Sequence, residues 1–183
     1  RGFRHGAPAL HARLRALLAR VTAMDEPQAI EHNGRSPGGK SPRAILFMCG
    51  LNAIRSPMAE AMARSMLPQG TYIASAGVRA GERNPFVDVV LGEIGLSLGR
   101  RQPQTLEELE DDFFDIIITL SPEAHHAALE LTRSNAIAVI HWPTMDPSAT
   151  DGTREQVLDA YREVRDSLLG LIESRLVEHR GSL

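Results

Sequence analysis

The chain has 183 residues, 43% of them hydrophobic and 23% charged, with a formal net charge of −3. That length suits one well-filled domain rather than two, and no apolar run approaches the ~20 residues of a bilayer-spanning helix. A single cysteine excludes an internal disulfide framework and suits a reducing cytoplasm, and no Cys/His cluster has metal-ligand spacing. Residues 1–43 carry eight Lys/Arg against three Asp/Glu, yet Phe3 is their sole aromatic, so no nucleic-acid partner is expected.

In chain order, residues 8–22 place Leu10, Leu14, Leu17, Leu18 and Val21 on one face, which predicts an amphipathic helix. Residues 33–42 form a linker rich in Gly, Pro and Ser. Residues 1–42 therefore read as an N-terminal extension. Met24 is as plausible a start as the first residue shown, and the first 23 residues fit a docked or flexible helix better than an Arg-rich targeting segment.

From residue 43 to 183 strands and helices alternate. Strands are predicted over residues 44–48, 71–74, 115–120 and 136–142, and helices over 57–67, 85–94, 122–132 and 153–178. Ser75-Ala76-Gly77 reads as a corner after the second strand. The alternation predicts an α/β fold of three layers, helix–sheet–helix, around a parallel sheet. Ligands of such sheets bind beyond the carboxyl ends of the strands, where Cys49, Ser75, Ser121 and the loop after Trp142 all fall.

Cys49-Gly50-Leu51-Asn52-Ala53-Ile54-Arg55-Ser56 lies between the first strand and the first helix. A loop of amides leading into a helix N-terminus favours an anion, and a guanidinium six residues after the thiol can grip two of its oxygens. The expected anion contacts are Arg55 and the backbone of Gly50, Leu51, Asn52, Ala53 and Ile54, with the same dipoles favouring the thiolate form of Cys49 as a nucleophile. Ser56 is placed to hydrogen-bond the sulfur, and Asn52 to pin the loop. Ser75 reads equally as a support for Asn52 or as an ordinary turn serine. Asp146, fixed by Pro147 in the loop after the fourth strand, is expected to protonate the leaving group and then activate water. No metal or cofactor is required, because Arg55 and the amides supply the electrostatic stabilisation.

Residues 43 to about 178 resemble the low-molecular-weight protein tyrosine phosphatases. The resemblance rests on Cys49-x5-Arg55-Ser56, Asn52, Ser75-Ala76-Gly77 and the late Asp146-Pro147. It implies a four-stranded parallel sheet in the order 2-1-3-4. Several positions depart from the family pattern. Gly50-Leu51 is shifted relative to the usual glycine, and Ile54 stands in place of a second cysteine. Ser148-Ala149 replaces aromatics that wall the substrate ring, and Leu120-Ser121 replaces Met-Asp. Relatives include arsenate reductases, of which the thioredoxin-coupled type passes oxidation along three cysteines.

The function expected is a phosphomonoester hydrolase working through a cysteinyl-phosphate, acting on a phosphorylated protein or a small phosphate ester. An arsenate reductase using a small thiol is the alternative enzyme. A phosphoprotein-binding module with little turnover is the alternative of another class.

Overall fold

A computed structural model describes residues 42–109, 113–132 and 137–177. The helix expected over 8–22 and the linker over 33–42, Pro42 excepted, lie outside the described residues. The elements are β1 (Ala44–Cys49), α1 (Arg55–Met66), β2 (Tyr72–Gly77), α2 (Pro85–Gly92), β3 (Ile116–Thr119), α3 (Pro122–Leu131), β4 (Ala138–His141) and α4 (Arg154–Ile172). A single 3-10 turn spans Pro147–Ala149, and a π-helical stretch, Glu173–Val177, extends α4.

The four strands form one parallel sheet in the order β2-β1-β3-β4, as the resemblance implied. Alternate side chains of a strand enter opposite faces. Ile45, Phe47 and Cys49 join the core beneath α1, α2 and α4, with Met58, Met62, Val90, Leu91 and Leu168. Leu46 and Met48 join a smaller core with Ala124 and Ala128 of α3. The Asp115 carboxylate accepts from the N–H groups of Arg43 (2.6 Å) and Ala44 (3.0 Å), tying the start of β1 to β3.

Element ends differ from the expectation where local hydrogen bonding decides them. Helix α1 begins at Arg55, two residues before Pro57, because the first turn of a helix needs no internal N–H donors. Its first bond runs from Met58 N to Ile54 O. Ser75-Ala76-Gly77 is strand rather than corner, since Phe47, Met48 and Cys49 pair with them in register. Among the described residues, no helix is long and apolar enough to cross a membrane.

Candidate active site

Cys49 ends β1 and is 2% exposed. The carbonyls of Cys49, Gly50 and Leu51 turn outward to accept from the N–H groups of Val78 (3.1 Å), Arg79 (2.9 Å) and Gly81 (2.8 Å). In a trans peptide the following N–H points the opposite way, so the amides of Gly50, Leu51 and Asn52 face into the loop. Gly77 allows this approach of the two segments. A Cβ there would lie 2.3 Å from Arg79 O and 2.8 Å from both Asn52 N and Leu51 C.

Asn52 has φ of +52°, the one positive φ at a non-glycine among the described residues. Its side chain, buried, uses its full hydrogen-bonding capacity. Nδ2 donates to Ser56 Oγ (2.8 Å) and Ser75 Oγ (2.9 Å), while Oδ1 accepts from Gln104 N (3.0 Å) and Arg101 Nη1 (3.2 Å). Ser56 Oγ stands 3.0 Å from Cys49 Sγ and 3.3 Å from Ala76 O. Because Asn52 donates to that oxygen, the hydroxyl proton is left for the sulfur or for Ala76 O.

Beyond Ser75 the network continues into α1. Ser75 Oγ donates to Glu60 Oε2 (2.8 Å), and Glu60 also pairs with Arg64 (2.9 Å) and Arg101 (2.8 Å). Glu60, Arg101 and Gln104 were not among the sequence-based candidates. Glu60 lies one turn after Ser56 on the same face of α1, so an acid at that spacing was the available signal for it. Arg101 and Gln104 come from the segment between α2 and β3, which has no periodic pattern.

Arg55 opens α1, and its side chain is 12% exposed. Nη1 donates to Thr144 O (3.0 Å), and Nη2 donates to Asp146 Oδ2 (2.8 Å). The other Asp146 oxygen caps the 3-10 turn, accepting from Ser148 N (3.0 Å) and Ser148 Oγ (2.7 Å). Partial burial disfavours the Asp146 charge, but the Ser148 bonds and the Arg55 charge outweigh it and hold this carboxyl below its ordinary range. The structure thus brings Cys49, Asn52, Ser56 and Ser75 into one hydrogen-bonded chain and pairs Arg55 with Asp146.

Around these groups, Gly50 is buried, with Glu123 Oε2 only 2.8 Å from where its Cβ would stand. Leu51 is exposed, Ala53 is half-buried and Ile54 is packed in the core. Trp142 is buried against Phe47, and Phe86 packs on Tyr161, so both rings serve the core. Among the described residues, no group of three His, Cys, Asp or Glu side chains converges to hold a metal.

The family model for low molecular weight phosphotyrosine protein phosphatase matches residues 44–178. The chain belongs to that family. An arsenate reductase of Halalkalibacterium halodurans is 31% identical over 126 residues, spanning 69% of this chain and 89% of that protein. The glutaredoxin arsenate reductase of Synechocystis sp. is 23% identical over 136 residues, spanning 74% of this chain and 98% of that one. Among solved structures, the YwlE arginine phosphatase from Geobacillus stearothermophilus aligns with a TM-score of 0.64 at 23% identity, covering 76% of this chain and 94% of that one. The tyrosine phosphatase amsI of Erwinia amylovora aligns with a TM-score of 0.61 at 24% identity, with the same coverages of 76% and 94%. At these identities the structural matches establish the shared fold.

Proposed function

We propose that this member of the low-molecular-weight phosphatase family hydrolyses phosphomonoesters through a cysteinyl-phosphate. Cys49 attacks phosphorus in line, and the S–P bond forms as the bond to the leaving oxygen breaks. Arg55 and the loop amides hold the equatorial oxygens, and Asp146 gives the leaving oxygen its proton. Asp146, now a carboxylate, takes a proton from the water that attacks phosphorus and returns Cys49 as thiolate. Ser56, 3.0 Å from the sulfur, steadies the thiolate each time it leaves.

The observation that carries this reading is the contact between Asp146 and Arg55. It sets a carboxyl group beside the guanidinium expected to bind the anion, which supports Asp146 as the proton donor. The Ser148 bonds and Arg55 favour the ionised form of Asp146, whereas a general acid must carry a proton. Substrate reverses that balance. A bound dianion draws Arg55 away and puts negative charge beside Asp146, and both changes favour its protonated form.

Arsenate reduction is the second reading, favoured by relatives that bear that name. Here Cys49 would displace water from arsenate, and an external thiol would attack the sulfur and expel arsenite as a disulfide forms. A second external thiol would release Cys49. With one cysteine in the chain, both thiols must come from outside. A panel of aryl phosphate, phosphotyrosine peptide, phosphoarginine, and arsenate with a small thiol separates the readings. Turnover of a phosphate substrate supports the hydrolase, activity on arsenate alone selects the reductase, and binding without turnover selects a phosphoprotein-binding module.

A further inference from the structure

Arg101 belongs to no helix or strand, yet only 18% of its side chain is exposed. All three of its guanidinium nitrogens are committed beneath the Cys49 loop. Nε pairs with Glu60 Oε2 (2.8 Å), Nη1 donates to Asn52 Oδ1 (3.2 Å), and Nη2 donates to Ser75 O (2.6 Å). Asn52 holds a left-handed backbone conformation that few residues other than glycine adopt, and the hydrogen bonds to its side chain help to fix it there. Arg101 supplies one of the two hydrogen bonds to Asn52 Oδ1.

Behind the loop one carboxylate, Glu60, is flanked by both Arg64 and Arg101. Arg64 is mostly exposed and solvated, while Arg101 and Glu60 are largely buried. Glu60 therefore offsets the buried Arg101 charge, and the surplus positive charge of the cluster sits on solvated Arg64. Burial, offset in part by Glu60, holds the Arg101 guanidinium below its ordinary range.

We propose that Arg101 is a positioning residue of the Cys49 loop. Its fork fixes Asn52 and so aims the amides at the anion. This rests on the reading of Cys49 as nucleophile, but the test uses no turnover, so the two fail separately.

The test is alkylation of Cys49 by iodoacetamide at about pH 6, with and without inorganic phosphate, in the full chain and in Arg101→Met and Arg101→Lys. Cys49 is the only cysteine, so modification reports that site alone. Circular dichroism checks folding. Arg101→Met is expected to slow alkylation about five-fold or more and to raise the phosphate needed for half-protection about ten-fold. Arg101→Lys keeps the charge without the planar fork. It should leave both alkylation and phosphate protection weaker than wild type, though less so than Arg101→Met. Wild-type alkylation and protection in Arg101→Met would overturn the proposal. Should that variant not fold, Arg101→Lys decides, and wild-type phosphate protection there would remove the positioning role.

Discussion

Arg55 Nη2 and Asp146 Oδ2 lie 2.8 Å apart, joining the first turn of α1 to the loop after β4 across 91 residues of chain. The group expected to bind the anion is thus paired with the group expected to move the proton. Asp146→Asn preserves the size of the side chain and removes the proton. Hydrolysis of substrates with poor leaving groups should fall about 10²–10⁴-fold, while activated aryl phosphates lose far less. Steady-state rates across a series of leaving groups check this, and equal losses throughout would remove Asp146 as the acid.

Gly77 and Gly50 make a contrasting pair. A Cβ at Gly77 would strike backbone atoms of Arg79, Asn52 and Leu51. Gly77→Ala should therefore destabilise by about 1–3 kcal/mol and distort the anion loop. At Gly50 the nearest atom is the flexible end of Glu123, which can swing away. Gly50→Ala should stay within about 0.5 kcal/mol of wild type. Urea denaturation of both variants, with phosphate inhibition of activity, tests the difference.

Glu93 ties α2 to α4 through Arg162 (2.7 Å) and Arg165 (2.8 Å). The Arg162 bonds, partly opposed by burial and reinforced by Arg165, hold the Glu93 carboxyl below its ordinary range. A depressed folded-state value stabilises the fold above the unfolded-state value, and the effect is lost as pH falls through the folded one. The stability gap between wild type and Glu93→Gln should thus be widest near pH 7 and shrink towards about pH 3. Urea midpoints at the two pH values measure it, and a gap that does not change with pH would contradict the linkage.

Much of the fold was legible because the signals were local. Ile116, Ile117 and Ile118 mark a buried strand, and Pro57 and Pro122 mark first helical turns. The sheet order came from the resemblance, not from these signals. The grouping of Asn52 and Ser56 followed from spacing within one loop, and that of Ser75 from its place at the end of a neighbouring strand. Arg101 and Gln104 were not legible. They reach Asn52 only because the segment around residue 105 runs beside the end of β2, where Gly77 bridges to Thr105. Nothing periodic in residues 93–115 announces that bridge. The end of β2 was misjudged for a related reason: Ser75-Ala76-Gly77 has the composition of a turn, but pairing with buried β1 keeps it extended.

The proposed reaction passes a phosphoryl group through Cys49. The most direct measurement mixes the Asp146→Ala variant, in which breakdown of the intermediate should be slowed, with an activated aryl phosphate. Acid quenching is followed by mass analysis of the peptide that carries Cys49. The expected result is one phosphoryl group on Cys49, formed together with a burst of phenol equal to the enzyme present and absent from Cys49→Ser. Sustained phenol release with no phosphoryl group on Cys49, or comparable turnover by Cys49→Ser, would contradict it.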